Sequence, residues 1–313
     1  MKLSDLIKIL DALFEVGQSL ESDNTGFQMG NLQNDIKTVL VTLDVTYGAI
    51  DEAIACGAGL IISHHNLIFE PIYCITSDDA AGAKILRLAK NDISVYSAHT
   101  NYDAMQGGLN DLLFEALGLK NPVVIEPLHN DMCSCHDSSS PQALNNGIGN
   151  ANNGTAGSHS KSNAGAGFGR VGELKVPLAL QDVMAILKEK LGLLNMQWMA
   201  PAPAGLKDIK SEKILTTNKI RKIAVINGSA NSLAYILSSP AFDCDLVITG
   251  EMKYSNAAMI AESGKIFIAA GHAETEKLAI DGIYGRMKKN KKLAGINIIK
   301  SKAGYIPWRY YIE

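Results

Sequence analysis

The first apolar pattern in the chain is helical. Leu3, Leu6, Ile7, Leu10, Leu13 and Phe14 fall on one face at 3.6-residue spacing and predict a helix at the start. A polar loop runs through Gln28, and a different rhythm follows. KTVLVTLD (37–44), GLIIS (59–63) and ISVYSAHT (93–100) are short, nearly continuous apolar runs, as expected of strands buried on both faces. Helical patterns separate them, around 46–56 and over 79–91, with another at 109–119. In the 79–91 stretch Ala81, Ile85, Leu86, Leu88 and Ala89 form the apolar face, opposite Lys84, Arg87 and Lys90. Strands alternating with such helices predict crossover units and a largely parallel sheet.

The rhythm stops near Pro127. Residues 130–167 hold seven Asn, seven Ser and six Gly among 38, too little apolar surface to offset ordering entropy. The segment 129–167 is therefore expected to be a disordered linker or insertion. FGRVGEL (168–174) and a helix over 178–191 resume the order, and the Pro- and Gly-bearing stretch 199–218 breaks it again. A second alternation follows: RKIAVIN, SLAYILS, CDLVITG, a helix over 253–263, KIFIAAG (265–271), a helix over 274–289 and INIIKS. The expected organisation is an α/β domain over 1–128, the linker, and a second α/β domain over 168–265. Residues 266–313 are expected to return and complete the first.

Composition narrows the setting. At 47% hydrophobic and 19% charged residues, a chain of 313 residues can bury a substantial core. Lys+Arg 29 against Asp+Glu 32 gives a net charge of −3, which argues against whole-protein attraction to nucleic acid or acidic membrane. The N-terminal pattern is interrupted by Asp5, Lys8 and Asp11, unlike a signal peptide. No apolar run reaches transmembrane length. The five cysteines are odd in number and dispersed, which suits reduced thiols. A soluble, cytoplasmic protein is the expectation. The basic run from Arg286 to Lys292 fits a solvated helix end, where cations are favoured. Cys133-Ser134-Cys135-His136 has ligand types but no second ligand pair at zinc-site spacing.

Three stretches just beyond predicted strands concentrate metal-ligand types. Ser63-His64-His65 follows GLII, and neighbouring strand residues point to opposite faces, so both imidazoles serve one ion only if the backbone turns. A polar strand end is the plain alternative. His99-Thr100-Asn101-Tyr102-Asp103 leaves the carboxyl end of a strand, where α/β sheets form ligand crevices. It also reads as a turn with Asp103 capping the next helix. In Gly271-His272-Ala273-Glu274-Thr275-Glu276, His272 and Glu276 stand at i and i+4, on one helical face, while Glu274 lies about 200° round and points away. Acidic residues at a helix start explain the glutamates but not His272. Together, three histidines and two carboxylates supply the donor types for a pair of divalent ions. Such a pair, about 3.5–4 Å apart, makes a nucleophilic hydroxide near neutral pH. Asn227-Gly228-Ser229-Ala230-Asn231 fits either a tight turn or an anion loop, and Glu251 either a supporting carboxylate or an acidic helix start.

SHHNLIF (63–69), HTNYDA (99–104), GRVGEL (169–174), NGSAN, DLVITGEMKY (245–254) and AGHAETE (270–276) occur in the order and approximate spacing of one family. The chain resembles the NGG-interacting-factor-three-like dinuclear metal family, many members of which are labelled GTP cyclohydrolase 1 type 2 homologs. The resemblance implies two α/β domains joined through their sheets with a metal site in the cleft. It makes His64, His65, Asp103, His272 and Glu276 the ligands of two divalent ions (Zn, Fe, Mn or Co). His65 and Asp103 would hold one ion, His64 and His272 the other, and Glu276 both. His99 would sit beside the site in a supporting or proton-handling role. The implied activity is a metal-dependent hydrolase acting on a small molecule, with nucleotides among the candidate substrates, in a homohexamer. The alternative is a metal-stabilised scaffold or interaction protein without turnover. Asn66 stands where the family usually has Pro, NGSA replaces its Gly-Gly-Ser-Gly loop, and the terminal GYIPWRYYIE is unlike the family's usual end.

Overall fold

The computed structural model describes residues 1–128, 165–201, 214–216 and 218–303. Almost all of the polar segment 129–167 lies outside them. So do the Cys133–His136 cluster, most of 199–218 and the end from Gly304.

Two sheets carry the fold. The first contains β1 (Gly26–Met29), β2 (Thr38–Thr42), β3 (Leu60–Ser63), β4 (Ser94–Ser97) and β11 (Asn297–Lys300), in the order β1-β4-β3-β2-β11. Four of these strands are parallel, and β1 closes one edge antiparallel. Every residue of β3 and β4 is buried, because helices cover both faces. On one face α1 (Leu3–Leu13) packs Leu6 and Leu10 with Ile283 and Met287 of α10 (Leu278–Lys289). On the other, α2 (Tyr47–Ala55) and α3 (Ala80–Lys90) pack Ile50, Ala53 and Leu88 against Ile61 and Val95. Leu86, placed on the apolar face by sequence, is 44% exposed, because the helix seats Ile85 and Leu88 instead.

The second sheet has the order β5-β6-β8-β9-β10-β7, from Lys120–Pro127, Gly167–Ala179, Lys219–Ser229, Leu246–Glu251, Ile266–Ala269 and Gln197–Met199 respectively. Its β8, β9 and β10 are parallel and the other pairings antiparallel. This sheet is mixed: the strands read from the second alternation are its parallel centre, and β5, β6 and β7 add antiparallel pairings. One face carries α5 (Leu109–Ala116) and α6 (Leu180–Leu191). The other carries α7 (Ala234–Ser238) and α8 (Tyr254–Glu262). Strands β1, β5 and β7 were not expected from the sequence. All three are edges or carry prolines, so they lack the apolar run of a covered strand. The chain enters the second sheet at Lys120, not after 128, and β10 stays there, so the return to the first sheet begins with α10. No described helix is long and apolar enough to cross a membrane.

An ion pair fastens α5 to the second sheet. Arg170 on β6 is fully buried; its Nε donates to Asp111 Oδ1 of α5 at 2.5 Å and its Nη1 donates to the carbonyls of Gly167 (2.7 Å) and Gly169 (3.0 Å). Asp111 also accepts the Gly107 amide at 2.6 Å. A buried guanidinium stripped of its carboxylate is an uncompensated charge. Asp111→Ala is therefore expected to destabilise the fold by about 3–5 kcal/mol in urea denaturation. Arg170→Met with Asp111→Leu, which removes both charges, should cost clearly less.

Candidate metal centre

The carboxyl ends of the parallel strands of both sheets deliver the site. Past β3 the backbone turns, held by Ser63 Oγ donating to the His65 carbonyl at 2.7 Å. The turn brings the rings of His64 and His65 to 5.1 Å between centroids, which a straight strand forbids. Past β4, a one-turn helix α4 (Thr100–Ala104) carries Asp103, and the helix that follows, α5, is capped by Gly108 and not by Asp103. Past β10, Gly271 adopts φ +98° and opens α9 (His272–Glu276), whose i, i+4 spacing puts His272 Nε2 at 3.0 Å from Glu276 Oε2. Glu276 is 4% exposed. Its Oε2 is also 2.8 Å from His65 Nε2, and its Oε1 is 3.8 Å from His64 Nε2. His64 Nε2 lies 3.7 Å from Asp103 Oδ1. All five expected ligands thus converge. Their proximities group His64 with Asp103 and Glu276, and His65 with His272 and Glu276, a different pairing from the one the resemblance implies.

Each imidazole is held at Nδ1 so that Nε2 faces inward. His64 Nδ1 donates to the Ala98 carbonyl at 2.8 Å. Nδ1 of His65 meets Asp44 at 2.7 Å, and that of His272 meets Glu251 at 3.2 Å. Backing of this kind fixes the ring and its tautomer in metal sites. Glu251, ambiguous in sequence, is thus a support for His272. Asp44 ends the apolar run of β2, a strand-end carboxylate whose position was its only sequence signal. Asp23 was missed altogether. It lies in the loop before β1 and accepts from His99 Nδ1 at 3.0 Å, 76 residues away. Glu274 stays outside the cluster as expected, folded against Gly271.

Burial and charge make the cluster strongly polarised. Burial alone would raise the Glu276 carboxyl, but hydrogen bonds from His272 and the neighbouring imidazoles hold it well below its usual range. Burial would lower His65, yet Asp44 and Glu276 push it up to about 10. The Glu276 bond, followed by opposing burial, leaves His272 at about 9. Burial lifts Asp103, with His64 opposing.

The side chains fit metal coordination. Among the described residues, His64 Nε2 and Asp103 Oδ1 are buried without any hydrogen-bond partner. Such orphaned groups are costly unless something charged sits between them. The His65, His272 and Glu276 donor atoms lie within 4.8 Å of one another, as do one nitrogen each of His64, His65 and His99. Gly228, at φ +56°, presses its backbone onto this cluster; a Cβ there would collide with Glu276 Oε1 and stand 3.2 Å from His272 Nε2. The Gly228 amide donates to Thr275 Oγ1 and the Ala230 amide to the Glu251 carbonyl, so the NGSAN stretch is the irregular end of β8, paired at Ser229 with Glu251, rather than a tight turn. A cleft of about 340 Å³, lined by Glu251, Gly271 and His272 with the Asn195 and Gln197 amides, opens beside it.

The sequence profile of the family described as Duf34/NIF3 (NGG1p interacting factor 3) matches residues 1–304. A GTP cyclohydrolase 1 type 2 homolog of Clostridium perfringens is 29% identical over 310 residues, covering 99% of this chain and 100% of that protein. One from Bacillus subtilis is 29% identical over 366 aligned residues, covering 97% of each. Among solved structures, a Bacillus cereus protein related to NIF3 superposes with a TM-score of 0.77 at 23% identity, covering 99% of both chains. A Staphylococcus aureus hypothetical protein matches equally well, with the same TM-score, identity and coverage.

The raised imidazoles have a consequence for metal-free protein. A group whose folded pKa is raised contributes stability that is complete below its unfolded value and is lost as pH climbs through the folded one. For His65 and His272 that window runs from about 6.5 to about 9 and 10. Melting temperatures in chelator should therefore fall across that range, and His65→Gln with His272→Gln should flatten the decline.

Proposed function

The chain belongs to the Duf34/NIF3 family, and on that premise we propose that it is a dinuclear metal-dependent hydrolase of a small polar substrate. The observation that carries the reading is the convergence of His64, His65, Asp103 and His272 on the buried Glu276, with His64 Nε2 and Asp103 Oδ1 left unpaired. Two divalent ions held by these five residues would supply activated water and neutralise charge that develops on the substrate. The protein's own part is orientation. Asp44 and Glu251 fix the rings of His65 and His272, and the Gly271 turn aims His272 and Glu276 at the strand ends of the first sheet. Ionised Glu276 offsets the cationic charge in a setting where water cannot. The cleft beside His272 offers amide and carboxylate groups to a polar substrate. Imidazole and carboxylate donors suit Zn, Fe, Mn or Co better than Ca.

Relatives named GTP cyclohydrolase 1 type 2 homologs make nucleotides the first substrates to screen, with ring opening at a purine carbon as the reaction to look for. Assembly into a homohexamer belongs to the same proposal and is read by sedimentation. Purified protein should contain close to two divalent ions by elemental analysis. His64→Ala combined with Glu276→Ala should abolish both metal uptake and any turnover found in the screen. Metal-empty wild-type protein with its activity intact would end the proposal.

A further inference from the structure

A second opening lies where the helix layers of the two sheets meet, between α5 and α10. Its volume is about 820 Å³, inside the roughly 300–1,000 Å³ of small-molecule sites. Leu13 of α1, Leu112 and Ala116 of α5, and Leu278 and Gly285 of α10 give it apolar walls. None of the five expected metal ligands lines it. Tyr102 and Asp103 are consecutive on α4, yet Asp103 faces His64 while Tyr102 reaches across to α10.

Tyr102 is the polar group built into the floor of this cavity. It is 1% exposed, and its ring packs edge-on against Phe14, 5.8 Å between centroids. A Cβ on Gly282 would stand 2.2 Å from the Tyr102 hydroxyl oxygen, so only a glycine leaves the hydroxyl its place at the cavity wall. The hydroxyl has no hydrogen-bond partner among the described residues. A buried phenol usually finds one, and the cavity is where a partner can come from. Charge gathers beside it. Gly282 and Arg286 stand at i and i+4, on one face of α10, with Lys289 three residues further along. Arg286 Nη2 donates to the carbonyls of Gln106 at 3.1 Å and Gly107 at 3.0 Å, which leaves Nε and Nη1 unpaired among the described residues. Lys289 has no ion-pair partner among them. Of the two carboxylates at the rim, Asp281 is held by Lys300 at 2.7 Å and Glu115 is exposed to water.

We propose that this cavity is a second small-molecule site, and that it takes a compact apolar body bearing one carboxylate. The carboxylate accepts hydrogen bonds from Arg286 and from the Tyr102 hydroxyl, Lys289 adds a second positive charge, and the apolar body lies along Leu13, Leu112 and Leu278. Arginine suits this role because its planar fork matches a carboxylate. The site is separate from the metal centre and needs no metal.

Naphthalene-2-carboxylate and naphthalene-2-methanol, alike in body and different in charge, serve as probes, titrated calorimetrically into the full-length protein. Wild-type protein should bind one carboxylate per chain, and the alcohol about 10-fold more weakly. Gly285→Leu, at a position where an added Cβ meets nothing within 4 Å, should fill the cavity and abolish binding. Tyr102→Phe should weaken the carboxylate about 3- to 10-fold and leave the melting temperature of unliganded protein unchanged or higher. A hydroxyl with a merely structural role would do the reverse, lowering the melting temperature and leaving binding alone. Lys289→Met should weaken the carboxylate and spare the alcohol. Circular dichroism checks that each variant folds, and Tyr102→Phe decides if Gly285→Leu does not. Absence of saturable binding by the wild type would overturn the inference, as would undiminished affinity in Gly285→Leu or Tyr102→Phe. Equal affinity for acid and alcohol would overturn the anionic ligand. A changed sedimentation coefficient in Gly285→Leu would make the groove a contact between copies of this chain instead.

Discussion

A carboxylate buried to 4% exposure needs compensating charge, and around Glu276 that charge comes from three imidazoles on two different sheets. His64 and His65 reach it from the end of β3, His272 from its own short helix beyond β10. The two sheets must therefore meet with their strand ends facing, and much of the architecture serves that meeting. Gly228 has no side chain because Glu276 occupies the space, and Gly271 takes a left-handed φ because α9 must start abruptly. The Arg170–Asp111 pair holds α5 on the second sheet. Asn110, the neighbour of Asp111, donates to the Asp103 carbonyl and accepts the Asn227 amide. A single helix thus links Asp103 of the first sheet to the end of β8 in the second.

The same constraint explains the electrostatics. Clustered imidazoles would repel one another if charged, and a lone buried carboxylate would resist ionising. Placed together, each makes the other's charged form favourable, so Glu276 is held low while His65 and His272 are held high. What remains unpaired is also telling. His64 Nε2 and Asp103 Oδ1 face each other at 3.7 Å, too far for a hydrogen bond and close to the span of two ligands on one ion.

Much of the fold was legible. The covered strands β2, β3, β8 and β9 are apolar runs that composition cannot disguise, and the helices α1, α5 and α6 carry plain 3.6-residue patterns. Edge strands were not legible, since β5 contains two prolines and β7 has three residues, and neither is apolar on both faces. Of the candidate site, the histidines and carboxylates that stand at strand ends could be named in advance. Their supports could not be, apart from Glu251. Asp23 and Asp44 look like ordinary loop carboxylates until the fold brings them against His99 and His65.

The sequence by itself determined which residues are chemically able to hold a metal and that they fall where strands end. Local spacing does this, because i, i+4 periodicity and strand alternation are properties of the backbone alone. Only the tertiary structure decided which donors share a neighbourhood, that His64 lies against Asp103 and His65 against His272, and that His99 is pinned by Asp23. Those relations join residues from 39 to 207 positions apart. No local pattern encodes them; they arise from how two sheets pack around one buried charge.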